Sequence, residues 1–136
     1  MLTKTVEIEV YNNEQKLTTS IHVEQLSESI FRAIENDLFN YELTFGTEFE
    51  TQKNKDGKYE VIKIIKESDF ITRRFSLTTQ FKESEYRLLG DEIIKQGGFW
   101  QVDFGNIVTI NLHKKSNLDL EQIFKVFDFK PTEIKN

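Results

Sequence analysis

From Thr5 to Val23, polar and apolar residues alternate with a period of two, which confines this part of the chain to strands with one wet face. Val6, Ile8 and Val10 alternate with Thr5, Glu7 and Glu9, and a second run puts Leu17, Thr19, Ile21 and Val23 on one face and His22 on the other. Asn12-Asn13-Glu14-Gln15 reads as the turn of an antiparallel hairpin. Leu43, Phe45, Phe49 and Thr51 suggest a further strand bent at Gly46, and Asp56-Gly57 within Lys53–Lys58 favours a tight reversal before Tyr59–Ile65. Residues 26–40 fit either period. Ile30, Ile34 and Leu38 have helical spacing, but Ile30–Ile34 also reads as a short strand before an irregular link over Asn36–Tyr41, and the strand is the reading adopted.

The densest β-branched and aromatic stretch runs from Lys58 to Thr78, two strand-like runs joined by a short polar connection, and is expected to lie at the centre of the sheet. After it the period changes. Tyr86, Leu89 and Ile93 predict a helix from about Lys82 to Gln96, with Glu83 and Glu85 suiting its N-terminal end and Gly97-Gly98 closing it. Phe99–Phe104 and Ile107–Leu112 predict a hairpin around Gly105-Asn106. Asn117 is the expected N-cap of a last short helix carrying Leu120, Ile123, Phe124 and Phe127; Phe129 is expected to dock on the core, with 129–136 as a tail. A length of 136 residues suits one domain over 1–136. The fold class expected is α+β: an antiparallel, β-rich N-terminal half forming a curved sheet, then a β-α-β-β-α unit, with two helices packed on the sheet.

Several chemistries lack the residues they need. The absence of cysteine excludes disulfides, thiolate metal sites and cysteine nucleophiles, and suits a reducing cytoplasm. The two histidines, His22 and His113, have no triad-like surroundings in sequence and read as exposed strand residues. No metal-ligand spacing and no glycine-rich phosphate loop occurs, so no metal, no cofactor and no catalytic residue is assigned. Formal charge of −5 argues against nucleic acid as a partner. The alternating start does not look like a signal peptide and no apolar run is long enough to span a bilayer, so no membrane association is expected. Phe99-Trp100 with Phe104 reads as core in preference to a base-stacking platform.

Arg73 and Arg74, beside Phe70 and Phe75, form the one shaped basic-aromatic cluster. Alternation sends them to opposite faces of a strand, so the one on the apolar side is expected to find a carboxylate. From about Phe31 to Phe127 the chain resembles the DUF4265 family of small uncharacterised bacterial proteins. The resemblance rests on Tyr41-Glu42-Leu43-Thr44-Phe45-Gly46, on Ser68-Asp69-Phe70-Ile71-Thr72-Arg73-Arg74, on a helix ending in glycine, and on Asn117-Leu118-Asp119. Thr47 stands where an acidic residue often follows the glycine, and Asp69 replaces a glycine. The resemblance implies an α+β fold and no catalytic residues, with Ser68, Thr72 and Arg74 as the matching polar positions.

These readings lead to a non-enzymatic, cytoplasmic protein-binding domain with an acidic surface, suited to an immunity protein that neutralises a basic toxin. Ser68, Thr72, Arg73 and Arg74 are the candidate ligand or partner contacts. Two alternatives stand beside it: a small-ligand-binding or enzymatic domain with an anion pocket at Ser68, Thr72 and Arg74, and a structural homodimer formed through a sheet edge. Oligomeric state is not readable from the sequence.

Overall fold

The computed structural model describes residues 4–77 and 83–135. It is an α+β fold whose chain divides into two compact units, Met1–Asp69 and Phe70–Asn136, where the sequence reading has one domain. Thr78 and Lys82, the expected ends of a strand and a helix, lie outside the described residues, as do the side chains of Glu83 and Glu85.

The first unit is a closed five-stranded barrel of β1 (Lys4–Asn12), β2 (Leu17–Gln25), β3 (Ile30–Ala33), β4 (Glu48–Lys53) and β5 (Tyr59–Lys66), in that order around the barrel. Consecutive strands are antiparallel, and β5 closes onto β1 in parallel at one register position, Val10 opposite Tyr59. The alternation sets the inside: Ile8, Val10, Ile21, Val23, Phe31, Ala33 and Phe49 are buried together with Leu43. Phe31 meets Phe49 at 6.0 Å and the edge of Tyr59 at 5.1 Å between ring centroids. Asn54 builds the β4–β5 turn by accepting from the N–H groups of Asp56 and Lys58, while Gly57 takes a φ of 78° that favours glycine. Leu43 and Phe45 are not in β4, which begins at Glu48; they belong to the connection over residues 34–47.

The second unit is a four-stranded antiparallel sheet in the order β7-β8-β6-β9, from β6 (Phe70–Ser76), β7 (Phe99–Asp103), β8 (Ile107–His113) and β9 (Thr132–Ile134). Helix α1 (Glu83–Lys95) connects β6 to β7 with β8 between them, a split β-α-β arrangement, and α2 (Leu120–Val126) follows β8. Both helices contribute to one core: Leu89 and Ile93 from α1 and Leu120 and Phe124 from α2 are buried with Phe75, Val108 and Ile110. Asp119, not Asn117, caps α2, accepting from the N–H of Gln122. The expected tail is largely structured. Phe129 is 5% exposed with its ring 5.2 Å from Phe124, and residues 132–134 pair with β6, covering an edge that would otherwise be open. Lys58–Thr78 therefore does not centre one sheet: β5 belongs to the barrel and β6 to the second sheet, with the polar connection at the unit boundary.

Trp100 packs against this core, as the sequence suggests, but Phe104 does not: it sits at the β7–β8 turn with a φ of 56° and is 76% exposed. Gly90 makes the Trp100 packing possible, since a Cβ there would lie 2.7 Å from the indole Nε1. Gly90→Ala therefore trades a helix-propensity gain of about 1 kcal/mol against a clash costing about 1–3 kcal/mol. The expected result is a lowered thermal midpoint with a shift in the emission of the sole tryptophan; a raised midpoint with unchanged emission would contradict this packing.

Candidate functional site

The four sequence-selected residues go to separate tasks. Ser68 lies in the barrel unit, where its hydroxyl donates to the carbonyl of Phe45. Thr72 and Arg74 share one face of β6, opposite Asn111 and Thr109 of β8, and the Asn111 Nδ2 donates to the Thr72 hydroxyl at 2.8 Å. This face is polar yet buried, with Arg74 at 8%, Thr109 at 1% and Asn111 at 0% exposure. Arg74 is thus largely withdrawn from solvent, with its Nε buried.

Arg73 points to the helix-covered face, as alternation requires, and finds the expected acids. Its Nε and one terminal nitrogen donate to the two oxygens of Glu133 at 2.9 and 3.0 Å, and the same nitrogen reaches Glu121 at 2.8 Å. The guanidinium also sits 5.2 Å from the Phe75 ring centroid. One arginine therefore ties β6, α2 and β9 together. Its hydrogen bonds hold Glu133 and Glu121 below the usual glutamate range, and theirs hold Arg73 more firmly in its charged form. The histidines are exposed-strand residues. His22 lies beside Glu7, its cross-strand partner, and Glu35; His113 Nδ1 accepts from the N–H of Lys115.

A concave feature lies elsewhere, in the barrel unit. A cleft of about 560 Å³ is formed by three segments: Tyr11–Gln15 at the β1–β2 turn, Phe39–Glu42 in the β3–β4 connection, and Glu60-Val61 at the start of β5. Three carboxylates, Glu14, Glu42 and Glu60, line it together with the aromatic rings of Tyr11, Phe39 and Tyr41. None of its lining residues is Lys or Arg, and none of the three carboxylates has an ion-pair partner among the described residues. Phe39 and Tyr41 are each 43% exposed.

Buried polar side chains hold this wall in place. Asp37, 3% exposed, accepts from the Thr19 hydroxyl at 2.6 Å and from the N–H groups of Phe39 and Asn40 at 3.0 and 3.1 Å. Asn36, 4% exposed, accepts from the N–H of Phe45, whose carbonyl takes the Ser68 hydroxyl. Gly46, at a φ of 93°, turns the chain back so that its N–H reaches the carbonyl of Ala33. The connection is thus a built loop presenting two aromatic rings. Sequence reasoning took Asn36–Tyr41 as an irregular link and missed it. The available signal was the Asn-Asp pair followed by Phe39-Asn40-Tyr41, because Asn and Asp organise turns through their own side chains.

Comparison with known proteins identifies the fold and not the role. No protein-family model matches the chain, and no curated protein matches it. Among solved structures it is similar to a hypothetical protein from Neisseria gonorrhoeae, at 16% identity and a TM-score of 0.58, over 94% of this chain and 88% of that one. Among the described residues no cluster of His, Asp or Glu could hold a metal, and no helix is long and apolar enough to cross a membrane.

The Arg73 contacts give a test with a defined sign. Lowered carboxylate values mean stability that is complete above the ordinary glutamate range and lost as pH falls through the folded values. Glu133→Gln should cost about 1 kcal/mol at neutral pH, discounted for partial exposure, and the urea midpoints of variant and parent should converge in acid. A penalty that persisted undiminished in acid would show that the ion pair is not its source.

Proposed function

We propose that this protein is a non-enzymatic protein-binding domain whose barrel cleft receives a basic segment of its partner, the role of an immunity protein towards a basic toxin being the form that suits it best. One observation carries the reading: the cleft combines three carboxylates and three aromatic side chains, with no cationic residue among the described residues that line it. Lysine and arginine side chains suit such a lining, through charge pairing at the rim and through cation–π contact with Tyr11, Phe39 and Tyr41. The net charge of −5 adds long-range attraction for a basic partner and speeds encounter.

The ligand reading centred on Ser68, Thr72 and Arg74 receives less support. The Ser68 hydroxyl is bonded to the backbone of Phe45 and the Thr72 hydroxyl to Asn111, so two of its three groups already hold the fold together. Arg73 is committed to two carboxylates.

Selection from a displayed random-peptide library tests the reading. Sequences enriched in Lys and Arg should emerge, and the combined variant Glu14→Gln, Glu42→Gln and Glu60→Gln should bind them about tenfold more weakly at low salt. Enrichment of acidic or neutral sequences, or equal binding by the variant, would overturn it.

A further inference from the structure

Asn40 is the least accounted-for group in the cleft. It is 7% exposed and lines the cleft, its N–H donates to Asp37, and its carbonyl accepts from Leu43. Its side-chain carboxamide has no hydrogen-bond partner among the described residues. The amide is reached from the cleft, where it can bond to water or to a guest, and the backbone of Asn40 alone makes the turn.

The complement of a carboxamide is another amide, because each offers a donor and an acceptor side by side. A second element of the same wall has the same preference. β5 pairs with β4 along its length, but on its β1 side the register ends at Tyr59, and β1 itself ends at Asn12. From Glu60 onward that side of β5 has no strand pair among the described residues, and Glu60 and Val61 lie in the cleft. Ile62, next along the strand, is 51% exposed. An unpaired strand edge recognises another extended main chain.

We propose that the cleft recognises the main chain of an extended basic peptide, with the Asn40 carboxamide bonding one peptide group and the unpaired side of β5 continuing the pairing. This rests on the reading that the cleft takes a basic partner, and it specifies the form: a strand-like segment read through its backbone. Glu14, Glu42 and Glu60 supply the preference for cationic side chains.

The test uses an acetylated and amidated alternating lysine–valine peptide of about eight residues, enough to run along β5 at roughly 3.3 Å per residue. A second peptide is N-methylated at every other amide, which removes donors without changing charge. Wild-type protein should bind the first peptide and lose about tenfold or more in affinity for the second. Asn40→Ala should weaken binding of the first peptide about tenfold while leaving the thermal midpoint unchanged or raised, because no internal side-chain hydrogen bond is lost. A clearly lowered midpoint would make Asn40 a structural residue and overturn the proposal. Binding insensitive to both N-methylation and Asn40→Ala, yet weakened in the triple Glu→Gln variant, would overturn backbone recognition and leave the basic-partner reading standing. No binding of the peptide would overturn the proposal as well, and the library selection would then show whether the basic-partner reading falls with it.

Discussion

The cleft depends on a carboxylate that is almost fully buried. Asp37 sits at one end of the barrel on the side where Thr19 and Val10 lie opposite one another, and its two oxygens accept from a hydroxyl and two backbone N–H groups. Burying a carboxylate is costly unless its lone pairs are satisfied, and here each oxygen has at least one donor. The effect is to pin residues 34–47 in one conformation. Asn36 and Ser68 complete the arrangement from either side of Phe45. Connections longer than about a dozen residues without regular structure are uncommon in compact proteins and are often functional, and this one carries Phe39 and Tyr41, each 43% exposed, in the lining of the cleft.

The second unit uses its charges differently. Arg73 joins β6, α2 and β9 through Glu121 and Glu133, and the aromatic series Phe75, Phe124 and Phe129 packs edge to face beneath it. Ionic groups there hold a three-residue strand and a two-turn helix that have little intrinsic stability of their own. In the barrel the three cleft carboxylates have no ion-pair partner among the described residues. That contrast, between acids committed to an internal arginine and acids facing a cleft, is the basis for placing partner recognition in the barrel.

Much of the fold was legible in the sequence because its elements obey simple periods. β1 and β2 follow the period-two runs closely, β5, β7 and β8 fall on the strand-like stretches bounded by turn signals, α1 follows the 3.6-residue spacing of Tyr86, Leu89 and Ile93, and Arg73 and Arg74 fall on opposite faces as alternation demands. What was not legible depends on long-range contact. Closure of the barrel rests on one pairing between Val10 and Tyr59, and β9 forms because β6 has an open edge, facts that no local window holds. Leu43 and Phe45 carry a strand-like alternation but lie in a loop, because the buried side chains of Asn36 and Asp37 dictate the backbone there. The cleft was missed for the same reason. Its three walls are far apart in sequence, and each taken alone is a turn, a link or the start of a strand.

The central claim is that partner recognition resides in the barrel cleft and not on the arginine-bearing strand. Amide shift mapping on isotope-labelled protein titrated with a lysine-rich peptide tests it most directly. The account predicts saturable perturbations confined to residues 11–15, 39–42 and 60–62, including the side-chain amide of Asn40. Perturbations centred on Thr72, Arg74, Thr109 and Asn111, with the cleft resonances unmoved, would contradict it.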